Sequence, residues 1–271
     1  MLSILSYAFM RNALYAGLLA SVIFGIIGTF VVVKRIVFIS GGISHASFGG
    51  VGMAYYLGLN TLFGAGIFAV ISALGVGVIG KKKMQREDTA IGMVWALGMA
   101  LGAFFMSMTP GYLPAMSSVL FGNILMIRII DIHIIAVLTA VIIVTMILLY
   151  PRIQGASFDE EFSKVVGVRT SGLYLFMLVL VALSIVVLIK FVGIVLLIAM
   201  LAIPASISGE FTEDMSWMMV YSTLLSFVFV ISGLFMSVIW NLPTGPTIVM
   251  SAGACFGVVM IGKKIFDRLS S

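Results

Sequence analysis

The sequence predicts an all-α, polytopic transmembrane helical bundle, and three features carry that prediction. Hydrophobic residues make up 62% of the chain and charged residues 9%, against about a quarter charged in soluble domains. Apolar runs of roughly 18 to 22 residues recur from end to end, each able to cross ~30 Å of hydrocarbon as a helix. Basic clusters close several of those runs, where the positive-inside rule places cytoplasmic loops. Helices and closed barrels alone satisfy their backbone in lipid, and runs of this length are helices.

The formal charge of +5 sits in those clusters, so it sets orientation in membrane lipid and leaves no footprint for nucleic acid. Cys255, the one cysteine, lies inside an apolar run, which rules out a disulfide framework and a cysteine-based metal site. The first run lacks an early basic region and a small-residue cleavage site, and is read as a retained span.

Span one, residues 12–33, ends at Lys34-Arg35 on the cytoplasmic side, with the N-terminus outside. Residues 36–58 follow, with His45 among Ser40, Ser44 and Ser47 and six glycines. Gly41 and Gly42 are candidate hinge positions in a segment expected to kink or part-unwind. An ionisable residue within a span is costly and therefore a candidate functional site. Two readings stand for His45: a neutral imidazole bonded across a helix interface, or a ligand for a late divalent metal. Ser44 and Met53 are its candidate neighbours.

The third span, 61–80, ends in three lysines. Its Gly75-Val-Gly77-Val-Ile-Gly80 matches GxGxxG in form only, because it lies inside a span without the strand such a loop needs. Glu87, Asp88 and Thr89 open a fourth span, running to about Met108. Residues 117–130, interrupted at Gly122-Asn123, are too short for a clear crossing and are read as a re-entrant or half-helix segment. Asn123 is either a pathway residue or an interface amide. His133 begins the fifth span near the outer surface, and Tyr150-Pro151 ends it.

The longest polar stretch is RIQGASFDEEFSKVVGVRTSG, residues 152–172. Asp159, Glu160 and Glu161 precede Phe162, Val165 and Val166 at i, i+3 and i+4, and Gly167 stands at the C-terminal cap. This spacing predicts a short amphipathic helix outside the bilayer. It is either a solvated loop or a docking helix for a soluble partner. Spans over 171–189 and 191–208 follow, with Lys190 marking an outer turn and Pro204 breaking the second of them. An acidic inner turn at 210–214, a span from Trp217 to Trp240, the rigid turn Asn241-Leu-Pro243-Thr-Gly245-Pro246 and a last span to Lys263-Lys264 complete the chain. The count is nine spans plus the short segment, with the C-terminus cytoplasmic.

Four stretches, in order and over nearly the whole chain, resemble the membrane permease subunits of ABC importers for zinc, manganese and iron. They are GTFVVVKRIVFISGGISHASFGG, LFGNIL, DEEFSKVVGV, and KFVGIVLLIAMLAIPASIS with NLPTGP. The resemblance implies the ABC importer permease fold as a single domain over 1–271, paired in a homodimer around a central pathway in the cell membrane. It implies two cytoplasmic ABC ATPase subunits and an extracellular metal-binding protein as partners. Residues 152–170 then form the cytoplasmic coupling segment, with Asp159, Glu160, Glu161, Phe162, Val165 and Gly167 engaging the ATPase. The cargo is a divalent metal ion, no cofactor is permanently bound, and ATP belongs to the partner.

The family usually places aspartate where this chain has Gly41, often where it has Asn123, and commonly where it has Asn241. Losing carboxylates disfavours hard ions such as manganese most, so zinc is favoured, with manganese and iron open. The chain lacks the GxxxxGK[ST] spacing and is expected to be no enzyme. A metal-chelate permease of the siderophore or cobalamin type and an ion-coupled secondary carrier remain as alternatives. The carrier lacks the mid-membrane carboxylates such proteins use. An intramembrane enzyme is excluded by the geometry of adjacent Ser44-His45 and by the absence of HExxH.

Overall fold

A computed structural model describes residues 7–80, 84–110, 122 and 124–270. The described residues are helical throughout, with no strand. In chain order the helices are α1 (Ala8–Val33), α2 (Val37–Tyr56), α3 (Thr61–Gly80) and α4 (Met84–Met108). A 3-10 turn, Ile124–Met126, precedes α5 (Ile129–Phe158), α6 (Glu160–Val165), α7 (Thr170–Gly209), α8 (Met215–Trp240) and α9 (Thr244–Ser270). Eight stretches are long and apolar enough to cross a membrane, two of them the halves of α7. The twenty-residue α2 is the ninth crossing expected from sequence; its serines, glycines and His45 keep it below that apolar threshold.

The described helices fall into two compact units. One gathers α1, the start of α5 up to Thr139, α7 from Phe191 onward, α8 and α9. Here small residues let helices approach: a methyl on Gly17 would lie 2.7 Å from Val230 Cγ1, and one on Gly233 would meet the Ile248 backbone. The hydroxyls of Ser21 and Thr29 donate to the Gly17 and Gly25 carbonyls, each at 2.7 Å, so α1 satisfies them internally. Asp214 caps α8 by accepting from the Ser216 and Trp217 N–H groups at 2.8 and 3.2 Å, and Glu210 pairs with Lys263 of α9.

The other unit gathers α2, α3, α4, the rest of α5, α6 and α7 up to Lys190. The contacts of α4 rise in step along α2, from Ile91 at Gly42 to Gly98 at Ala46 and Gly102 at Gly52, so the two helices run parallel. Helix α3 runs antiparallel to α2, its Gly64 against Gly50 and its Phe68 beside Gly49. Glycine is required where backbones meet: a methyl on Gly98 would stand 2.8 Å from the His45 carbonyl oxygen.

Gly41 and Gly42, the candidate hinge positions, are buried inside an unbroken α2. Two expectations are corrected. The fifth span does not end at Pro151 but runs through it to Phe158. The turn expected at Lys190 lies at Gly193, with φ 76° and ψ 167°, where the spans Thr170–Ile189 and Val192–Gly209 meet, and the expected break at Pro204 is absent. Pro204 lies in continuing helix. Asn123, residues 117–121 of the short segment and the lysines at 81–83 lie outside the described residues.

Candidate functional site

Residues 155–170 form a capped element between α5 and α7. Asp159 is extended (φ −140°, ψ 93°), and its carboxylate accepts from the Phe162 N–H at 2.8 Å, the arrangement of a helix N-cap. At the other end Gly167 adopts φ 90°. Its N–H donates to the Lys164 carbonyl at 3.0 Å and the Val168 N–H donates to the Ser163 carbonyl at 2.9 Å, a Schellman closure. The six residues Glu160–Val165 are thus held between two caps.

Side contacts fix how this element sits. Lys164 pairs with Glu160 at 2.8 Å, and the Thr170 hydroxyl donates to the same carboxylate at 3.2 Å. The Lys164 hydrogen bond is the largest influence and holds the Glu160 carboxyl below the usual range; burial opposes it next, and the Lys164 charge, the Thr170 hydroxyl and the Lys34 charge add to the lowering. Lys34, just past α1, donates to the Ala156 carbonyl at 3.1 Å and lies 5.9 Å over the Tyr174 ring. Ser163 faces inward and is buried. Phe162, Val165 and Val166 face outward and are 64, 86 and 64% exposed, with Glu161 exposed beside them. Three large apolar side chains open to the surrounding medium form an exposed patch on an element braced from behind.

The second cluster surrounds His45 on α2. Its ring is half-buried and stacks on the Trp95 indole of α4, centroids 4.1 Å apart and planes at 13°. Among the described residues the buried His45 Nδ1 has no hydrogen-bond partner. Ser44 is fully buried and donates to the Ser40 carbonyl at 2.8 Å, leaving its oxygen lone pairs. Met53 stands eight residues along α2 from His45, about 12 Å at 1.5 Å per residue, so the two do not share one ion. No group of three His, Cys, Asp or Glu that could hold a metal occurs among the described residues.

Asn241 belongs to the compact unit that holds neither cluster. It is the left-handed C-cap of α8, with φ 53° and ψ 44°, its N–H donating to the Ser237 carbonyl. The Ser237 hydroxyl in turn donates to the Leu242 carbonyl at 2.5 Å. Asparagine tolerates that conformation better than most residues, which is reason enough for its presence there. His133 Nδ1 donates to the Ile129 carbonyl at 2.8 Å within α5. Trp95 and Lys34 escaped the sequence reading. Each acts across a long sequence separation, and their only local signals were a tryptophan well inside a span and a basic residue at a span end.

Comparison with known proteins places this arrangement. The profile of the ABC 3 transport family matches residues 6–263. An uncharacterized membrane protein of Synechocystis is 40% identical over 94% of this chain and 91% of its own length. The manganese transport system membrane protein MntC of Listeria monocytogenes is 32% identical, over 95% and 92% respectively. Among solved structures, PsaBC from Streptococcus pneumoniae in complex with Fab superposes with a TM-score of 0.83 at 27% identity, covering 95% of this chain and 92% of that one.

Proposed function

The chain belongs to the ABC 3 transport family, as a multi-pass membrane permease, and on that footing we propose that it is the membrane subunit of an ATP-driven importer of a divalent transition-metal ion. The observation that carries the proposal is the capped α6 with Phe162, Val165 and Val166 exposed beside Asp159, Glu160 and Glu161. Such a face fits a groove on a soluble ATPase, as residues 152–170 acting as a coupling segment require. ATP binding on two partner ATPases draws the α6 helices of two permease copies together. The spans then switch between outward-facing and inward-facing arrangements around a shared pathway, which an extracellular metal-binding protein supplies.

Within the pathway His45 is the proposed first ligand, held face-on to Trp95 with a nitrogen that has no protein partner. Ser44 supplies a neutral oxygen beside it. Asn123 and Asn241 are proposed as neutral pathway residues, and Gly41, Gly42 and Pro204 as positions that yield during the switch. An imidazole without an accompanying carboxylate cluster suits a borderline-soft ion, which favours zinc over manganese. The Listeria relative's name supports manganese instead, so both ions belong in the test.

Uptake is measured into vesicles holding the chain with its ATPase, across zinc, manganese, iron and cobalt, with His45→Ala alongside. ATP-dependent uptake of one ion that disappears in His45→Ala is the expected result. ATPase activity with uptake of no free ion, even with the delivery protein present, would replace the proposal with a chelate permease. Uptake that follows an ion gradient without ATP would replace it with a secondary carrier.

A further inference from the structure

A groove of about 570 Å³ lies where α5 and α7 meet the polar segment between them. Its lining joins apolar and basic side chains and shares Val166 and Gly167 with the coupling segment. Leu149 belongs to the apolar span of α5, and Leu173 and Phe176 to that of α7. Arg152 and Arg169 add two guanidinium groups. Both arginines are exposed, and neither guanidinium has an ion-pair or hydrogen-bond partner among the described residues. None of the carboxylates of the neighbouring segment lines the groove; Asp159 is committed to its cap and Glu160 to Lys164. Gly172, in the first turn of α7, leaves the floor open, since a methyl there would meet nothing within 4 Å.

We propose that this groove binds an anionic membrane phospholipid. The headgroup phosphate sits between Arg152 and Arg169, and an acyl chain lies along Leu149, Leu173 and Phe176. Guanidinium groups bind phosphate oxygens in pairs of parallel hydrogen bonds, and unpaired basic residues at a membrane surface recruit anionic lipid. The positive end of the α7 helix adds to the same field. A soluble anion would leave the apolar wall uncovered. A soluble protein would have to cover side chains belonging to membrane spans, where the surrounding medium is acyl chain. A phospholipid matches both halves at once.

The test uses the full chain purified in detergent, titrated with phosphatidylglycerol or phosphatidylethanolamine and observed by native mass spectrometry. Phosphatidylglycerol is expected to be retained at least about tenfold more strongly than phosphatidylethanolamine, as two surface arginines imply. The Arg152→Gln/Arg169→Gln double variant should lose that preference with its thermal stability unchanged. Gly172→Phe, which fills the floor without touching charge, should weaken retention of both lipids. Equal retention of the two lipids by the native chain would overturn the proposal. Displacement of the lipid by inorganic phosphate alone would reassign the groove to a soluble anion. Displacement by an added ATPase subunit would reassign it to a protein interface. None of these readouts depends on transport, so failure here is separable from failure of the importer proposal.

Discussion

The imidazole of His45 lies flat on the indole of Trp95, 4.1 Å between ring centroids, while the backbone of Gly98 closes on the His45 carbonyl one turn further along α4. Helix α4 thus meets His45 twice, at its ring through Trp95 and at its backbone carbonyl through Gly98. His45 is thereby fixed in orientation without spending a ring nitrogen on a hydrogen bond at Nδ1.

If that orientation serves an ion, its loss should show in affinity before it shows in stability. Trp95→Phe keeps an aromatic face and should leave uptake near the native level. Trp95→Ala removes a stacking contact of roughly 0.5–1.5 kcal/mol, which predicts an apparent ion affinity weaker by up to about tenfold. Measuring the concentration for half-maximal uptake in both variants decides it. Equal values for Trp95→Ala and the native chain would show that the stack is only packing.

Packing at Gly98 makes a separate demand. A side chain there must push α4 away from α2, and overpacking of this kind costs about 1–3 kcal/mol. Gly98→Val should therefore lower the thermal midpoint in detergent, whereas Gly92→Ala on the same helix, where a methyl meets nothing within 4 Å, should leave it unchanged. Similar midpoints for the two variants would contradict the close approach.

The coupling element offers a graded series. Asp159→Ala removes the cap of α6 and should cost it about 1 kcal/mol, while Asp159→Asn keeps a capping oxygen and should be nearly neutral. Gly167→Ala places a β-carbon at φ 90° and should cost about 1–2 kcal/mol. Phe162→Asp should leave the fold intact and abolish association with the ATPase, because that ring is exposed and supports nothing in the chain itself. Co-purification of the ATPase with each variant is the measurement. An unaffected Phe162→Asp would remove the docking face from consideration.

Much of this element was legible in the sequence because its determinants are local. An aspartate three residues before a bonded N–H, a glycine just past the last turn and an i, i+3, i+4 apolar set all lie within nine positions, from Asp159 to Gly167. The spans were legible for a similar reason, since length and apolarity are properties of single segments. What sequence could not show was anything set by distant partners: the Trp95 stack, the Lys34 brace on Ala156, and the straightness of α2. Five glycines announced flexibility in α2, yet the helix is unbroken, with the backbones of α3 and α4 close against Gly49, Gly50 and Gly52. Asn241 looked like a pathway residue where a carboxylate was lost, and its left-handed backbone supplies a second reason for asparagine.

Acid should act on the coupling element late. The folded pKa of Glu160 is depressed below its ordinary value of 4.5, chiefly by the Lys164 hydrogen bond. Its ion pair is therefore complete above that value and is lost only as pH falls through the lower folded pKa. Protection of the 160–170 amides, corrected for intrinsic exchange rate, should stay level from neutral pH down to about 5 and fall below the ordinary carboxylate range. Glu160→Gln should remove that dependence. A fall already under way near neutral pH would place a different group in control.

The break in α7 falls at Gly193 and not at Pro204. Gly193 occupies φ 76° and ψ 167°, a region open to glycine and strained for every residue with a β-carbon. Gly193→Ala should cost about 1–3 kcal/mol and lower the thermal midpoint correspondingly. Pro204, the residue whose chemistry most suggested a break, sits in helix that continues to Gly209, with the Ser208 hydroxyl donating to its carbonyl at 2.8 Å. Pro204→Ala restores a backbone donor in a conformation alanine prefers, and should leave the midpoint unchanged or raise it. Thermal unfolding of the two variants, followed by tryptophan fluorescence, ranks them directly. If Pro204→Ala proves the more damaging of the pair, the proline is what shapes this helix and the glycine merely tolerates it.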